Sequence, residues 1–142
     1  MTIGAILQTK GGDVLSVEGG TVVRDVISML AQRRIGCVPV LLDGNVAGIF
    51  SERDVIYRLG SEGVSMLDRP VSEVMTSPAV LTGSDTTVLA ALSMMTKRRI
   101  RHLPVVDGDA LVGFVSIGDL VKYRIDRIES EAAAMRNYIQ SA

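Results

Sequence analysis

Arg33-Arg34-Ile35-Gly36-Cys37-Val38-Pro39-Val40 returns 65 residues later as Arg98-Arg99-Ile100-Arg101-His102-Leu103-Pro104-Val105. The same offset relates Gly48-Ile49-Phe50-Ser51-Glu52-Arg53-Asp54 to Gly113-Phe114-Val115-Ser116-Ile117-Gly118-Asp119. From Ser28 to Asp54, 10 of 27 aligned positions are identical, far above chance. A duplication of this kind predicts a pseudo-two-fold pair with a cleft between its halves. Each unit is roughly 60 residues and buries too little surface to be stable alone. The halves are therefore expected to share a core, and the cleft is where function is to be sought.

Working outward, the two units read alike. Val14 to Val17 and Ala79 to Thr82 predict short strands. Val23, Val26, Ile27 and Leu30 fall at helical spacing, as do Val88, Ala91, Leu92 and Met95. Val38 to Leu42 and Val46 to Phe50 flank an Asp43-Gly44 turn, a hairpin signal. Leu103 to Val106 and Leu111 to Val115 flank Asp107-Gly108-Asp109 in the same way. A second helix is expected after Ser51 and again after Ser116. The fold class is thus α/β: two pseudo-two-fold related β-α-β-β-α repeats forming one module, with an extended C-terminal helix.

The opening segments also correspond, at an offset of 68: Ile3-Gly4-Ala5-Ile6-Leu7 with Val71-Ser72-Glu73-Val74-Met75. Repeat 1 therefore carries three extra residues, placed in Thr9-Lys10-Gly11-Gly12. The expected organisation is repeat 1 over 1–60, a linker over 61–70, repeat 2 over 71–126 and a helical extension over 127–142. The linker is polar, contains glycine and ends in Pro70. In the last helix Val121, Ile125, Ile128, Ala132, Met135 and Ile139 form a heptad stripe. Two readings stand: the stripe covers its own module, or it makes a homodimer contact.

Composition narrows the function classes. The net charge is −1, which gives no global field toward nucleic acid or membrane. The chain has 3 Tyr, 2 Phe and no Trp, few aromatics for stacking bases, so nucleic acid is not expected as a partner. No apolar run is long enough to span a bilayer, and no signal peptide is evident. Cys37 is the single cysteine, so no internal disulfide forms, and a cytoplasmic location is expected. The basic cluster Lys97-Arg98-Arg99 with Arg101 reads as possible anion contacts, although cations at helix C-termini also favour the dipole. His102 is the single histidine, so a His-cluster metal site is excluded. It is either a packed polar residue or a phosphate neighbour. Cys37 has no base beside it and reads as a small buried residue, not a reactive thiol.

Gly-x-x-Ser-x-x-Asp occurs at both strand-to-helix junctions, as Gly48/Ser51/Asp54 and Gly113/Ser116/Asp119. One reading is structural, since Ser at the N-cap with an acid three residues on is a capping-box pattern. The other is a ligand grip. A helix N-terminus offers free N–H groups to an anion, the serine hydroxyl donates to a phosphate oxygen, and the aspartate accepts from two vicinal ribose hydroxyls. The two readings are compatible.

These motifs resemble tandem cystathionine-β-synthase (CBS) domains, the pair called a Bateman module. The resemblance covers Ile3 to about Asp126. It rests on Arg-Ile-Gly-Cys-Val-Pro-Val and Arg-Ile-Arg-His-Leu-Pro-Val-Val-Asp, each followed by Gly-x-x-Ser-x-x-Asp. It implies a stand-alone sensor of adenosyl ligands: AMP, ADP, ATP, NAD(H) or S-adenosylmethionine. Energy sensing and a homodimer of modules, arranged as a flat disc, are implied too, with output to an unidentified effector protein or through oligomer state. The resemblance implies crossed sites. One takes Ser116 and Asp119, with Arg101 and His102 as phosphate contacts, and lays adenine against Val14, Leu15, Ile35, Gly36 and Cys37. The mirror site takes Ser51, Arg53 and Asp54, with Ala79, Val80, Ile100, Arg101 and His102 as its adenine wall. The repeats depart from each other at Arg53, whose counterpart is Gly118, and at Ser16, whose counterpart is Leu81. Equal occupancy is therefore not expected, and the Arg53/Asp54 site should favour the ligand with more phosphate charge. No catalytic cofactor is expected, and with no nucleophile–base pair or Walker-type loop the chain does not read as an enzyme. The remaining alternative is a purely structural dimerisation or docking module.

Overall fold

The computed structural model describes residues 1–11 and 13–141. The chain begins with helix α1 (Ile3–Lys10), strand β1 (Val17–Glu18), helix α2 (Val23–Arg33), strands β2 (Cys37–Leu42) and β3 (Asn45–Ser51) and helix α3 (Glu52–Glu62). Two 3-10 turns follow, Gly63–Asp68 and Val71–Glu73. Helix α4 (Val88–Arg98), strands β4 (His102–Asp107) and β5 (Ala110–Ser116) and helix α5 (Ile117–Ser141) complete it.

The hairpins form as their turns dictate. Asp43 and Gly44 both adopt positive φ, 51° and 81°, the backbone that a tight two-residue hairpin turn requires. β2 pairs antiparallel with β3, setting Cys37 opposite Ser51, and β4 pairs with β5, setting His102 opposite Ser116. Both hairpins carry a register shift at equivalent places, Val40/Leu41 and Val105/Val106. The first strands are shorter than their composition suggests. β1 is only Val17–Glu18, parallel to β2. In repeat 2 a single parallel bridge, Thr82 to Val105, stands in its place. The residues before Val17 turn instead toward a cavity, which withdraws their backbone from the ladder.

The cores are crossed. Ile3 and Ile6 of α1 are buried with Val88, Ala91, Met95, Leu103, Val105, Val115 and Leu120, all from repeat 2. Val71 and Val74, which correspond to Ile3 and Ile6, are buried with Val23, Val26, Leu30, Val38, Val40 and Phe50 of repeat 1. Each opening segment therefore completes the other half. Backbone hydrogen bonds repeat the exchange: Ile3 N–H donates to Thr86 O (2.9 Å) and Val71 N–H to Thr21 O (2.8 Å).

The stretch expected as a polar linker is folded. α3 runs to Glu62, a 3-10 turn follows, and Met66 is fully buried in the repeat 1 core. The neighbouring Leu67 is half-buried and packs against the same core, while Val64 and Ser65 stay exposed.

α5 outlasts its counterpart α3, at 25 residues against 11. Its stripe does not cover the module: Val121, Ile125, Ile128, Met135 and Ile139 are 42% to 65% exposed, and Ala132 is exposed too. Among the described residues no helix is long and apolar enough to cross a membrane.

Candidate functional site: two cavities with a common wall

Both Gly-x-x-Ser-x-x-Asp motifs stand where a strand gives way to a helix. Ser51 is the N-cap of α3: Asp54 N–H donates to Ser51 Oγ (3.4 Å) and Ser51 N–H donates to Asp54 Oδ2 (2.9 Å). Ser116 and Asp119 repeat this at the start of α5, with distances of 3.1 and 2.9 Å. The capping boxes are thus real, and each also fixes a carboxylate at the mouth of a cavity.

The first cavity, about 470 Å³, falls in the size range of small-molecule sites. The structure brings Ser116, Asp119 and His102 into it together with Val14, Leu15, Ile35, Gly36 and Cys37. The acid thus comes from repeat 2 and the facing wall from repeat 1. Arg101 does not line this cavity, which corrects its expected position beside Asp119. It precedes β4 and lines the second cavity only, whereas His102 lines both.

The second cavity, about 300 Å³, holds Ser51, Arg53 and Asp54 with Ile100, Arg101 and His102. Ala79 and Val80 do not line it, a second correction. Val80 is packed against the repeat 2 core instead, a more favourable place for an apolar side chain than a polar cleft. Gly36, Cys37 and His102 line both cavities and form a common wall.

Several lining residues carry no signal in the repeat pattern. Lys10, Asp13 and Phe114 line the first cavity, and Glu52, Tyr57 and Thr76 the second, whereas Arg33 and Arg99, which also line them, belong to the repeated Arg-Arg-Ile. Thr76 Oγ1 donates to Asp54 Oδ1 (2.7 Å). Lys10 Nζ donates to Asp119 Oδ2 and to the carbonyl of Phe114, both at 2.8 Å. The extra residues of repeat 1 gave the one available hint of Lys10; Gly12, the last of them, lies outside the described residues.

The electrostatics follow from these partners. Burial alone would raise the Asp119 pKa, but hydrogen bonds from Lys10 and Ser116 and the ammonium charge outweigh it and hold the carboxyl below 3.8. Burial, aided by Lys10 and Arg101, lowers the His102 pKa from 6.5 against the pull of Asp119 and Glu52. The imidazole stacks on Phe114, with ring centroids 5.3 Å apart and planes at 17°. Burial and the charge of Asp54 push the Cys37 thiol up to about 12, so it is an inert wall residue. Among the described residues no cluster of His, Cys, Asp and Glu is grouped to hold a metal.

A mixed α/β module with two cavities of this kind, each lined by both repeats, defines a tandem domain pair. The CBS domain family matches residues 3–61 and 71–126, and the chain belongs to it. It is 30% identical to the CBS domain-containing protein YhcV of Bacillus subtilis over 94% of both chains. It is 31% identical to the mitochondrial CBS domain-containing protein CBSX3 of Arabidopsis thaliana, over 98% of this chain and 72% of that one. Among solved structures, a CBS-domain containing protein of Agrobacterium tumefaciens superposes with a TM-score of 0.82 at 35% identity, covering 87% of this chain and 99% of the other. The fold is shared also by a CBS domain pair solved with 5′-methylthioadenosine and S-adenosyl-L-methionine, with a TM-score of 0.78 at 20% identity, over 89% and 98% of the two chains.

Proposed function

We propose that this chain is a regulatory module that binds an adenosyl ligand (AMP, ADP, ATP, NAD(H) or S-adenosylmethionine) and passes its occupancy to a separate partner or to its own oligomer state. One observation carries the reading: each Ser-x-x-Asp pair faces a cavity whose opposite wall comes from the other repeat. A ligand there touches both halves and favours whichever arrangement of them it fits best. The adenosyl compounds held by a CBS pair of the same fold support the ligand class. Arg53, Arg99 and Arg101 around the second cavity support a ligand with more phosphate charge there. The exposed α5 stripe supports a homodimer of modules. A cytoplasmic location and a non-catalytic role belong to the same reading, which rests on the unpaired Cys37 and on the lack of any nucleophile–base pair in the sequence.

Thermal unfolding of the purified chain against AMP, ADP, ATP, NAD⁺, NADH and S-adenosylmethionine, with GMP as control, tests the proposal. A ligand at about 100 times its Kd adds about 2.7 kcal/mol, several degrees for a domain of this size. The shift is expected to vanish in Asp54→Ala or Asp119→Ala. No shift with any adenosyl compound rejects the sensor.

A second reading has its own observation, the two completed capping boxes. If the motif serves only to cap, each Asp→Ala costs about 1 kcal/mol of stability and ligands are irrelevant. The module is then a docking or dimerisation unit.

A further inference from the structure

The two motif acids are held by different partners. Asp54 Oδ1 accepts from the hydroxyl of Thr76, a neutral donor, at 2.7 Å. Asp119 Oδ2 accepts from the ammonium of Lys10 at 2.8 Å. Lys10 stands in the last turn of α1, the segment that crosses into repeat 2. Ile3 and Ile6 anchor that helix in the repeat 2 core, and Leu7 seats on the bare backbone of Gly113. The anchoring delivers the ammonium to the rim of the first cavity, where the Phe114 carbonyl holds it as well.

We infer that Lys10 makes the first cavity selective for anionic adenosyl ligands, those carrying phosphate, over uncharged or sulfonium ones. The inference rests on the adenosyl reading and specifies it. An ammonium has three donors and no acceptor. Two are engaged, by Asp119 and Phe114, which leaves one for a ligand oxygen. Among the described residues Asp119 Oδ1 accepts no hydrogen bond, so a ribose hydroxyl can take it while Lys10 keeps Oδ2. The charge balance points the same way. Lys10 and Arg33 face Asp13 and Asp119 in the cavity lining. Without Lys10 two carboxylates would face one guanidinium, an environment that repels phosphate and welcomes a sulfonium.

The test is calorimetric titration of the full chain with AMP, adenosine and S-adenosylmethionine. An Asp54→Ala background removes the carboxylate of the second cavity. Lys10→Met is expected to weaken AMP by about tenfold or more, the worth of one hydrogen bond to a charged group, while adenosine changes far less. Lys10→Arg, which keeps the charge, is expected to recover most of the loss. An equal loss for AMP and adenosine, or none for AMP, overturns the inference and leaves the adenosyl reading intact. If the unsubstituted chain binds none of the three and none of ADP, ATP, NAD⁺ and NADH, the adenosyl reading fails and the Lys10 assignment falls with it. The melting temperature of ligand-free Lys10→Met, expected near that of its parent, separates lost contact from lost fold.

Discussion

Gly48 lies beneath the carbonyl of Thr76, and a Cβ at that glycine would stand 2.5 Å from the oxygen. The crossing segment of repeat 2 is stitched there to β3: Ile49 N–H donates to Thr76 O (3.0 Å) and Thr76 N–H returns to Ile49 O (2.9 Å). At the equivalent Gly113 the nearest atoms belong to the Leu7 side chain, at 2.5 Å. A leucine can change rotamer, whereas a paired backbone cannot yield without losing its hydrogen bonds. Gly48→Ala is therefore expected to destabilise by about 2 kcal/mol or more, in the range of overpacking, and Gly113→Ala by clearly less. Chemical denaturation of both variants checks the order, and equal losses would contradict it.

Met66→Ala distinguishes a folded connection from a spacer. The side chain is fully buried among repeat 1 residues. Its truncation should cost about 2–5 kcal/mol, whereas an exposed linker residue would change stability by about 0.5 kcal/mol at most. Urea melts of the variant decide between them.

His102 should make stability depend on pH. Its pKa in the folded chain lies below 6.5 because burial, with Lys10 and Arg101, disfavours the imidazolium. The unfolded chain thus binds the proton more readily. The contribution is complete above 6.5 and is lost as pH falls toward the folded value. The Asp119 contribution begins to be lost only as pH falls toward 3.8, well below the 6.5 at which the His102 loss begins. Melting temperature should fall between about pH 7.5 and about pH 5.5, and His102→Gln should flatten that slope. A slope unchanged by the substitution would assign the effect elsewhere.

If the α5 stripe joins two modules, Ile125→Lys with Ile128→Lys should convert a dimer into a monomer in sedimentation without disturbing the fold, because both side chains are about half exposed in the single chain. A native chain that stays monomeric at its highest soluble concentration removes the homodimer from the proposal.

The elements of the duplicated region were legible because their signals are local. Period-3.6 apolar spacing gives α2 and α4, and Asp43-Gly44 fixes one hairpin. The exchange of opening segments was not legible. The offset-68 correspondence pairs Ile3 and Ile6 with Val71 and Val74 but does not say in which core either pair is buried, and that choice is tertiary. Ser51, Asp54, Ser116 and Asp119, which repeat, line cavities, as do His102, Val14, Leu15, Ile35, Gly36 and Cys37, which the family resemblance implied. The structure differs for Arg101, which lines the second of its two expected sites and not the first, and for Val80, which is turned to the core. Lys10 and Thr76 were missed because each reaches its acid from a distant segment, across 109 and 22 residues respectively.

The crossed cores also bear on how the chain is made. Every buried residue of the first core lies between Val23 and Val74, so that half can close once its own continuous stretch has left the ribosome. The second core needs Ile3 and Leu120 together, and so waits until the stretch between them has been made. Since non-local contacts form late and domains assemble as they emerge, α1 is synthesised well before the core it completes and finds its place late. Until then its apolar face is without its partner, and a nascent chain stalled within repeat 2 would present that face to chaperones beside an already folded first half.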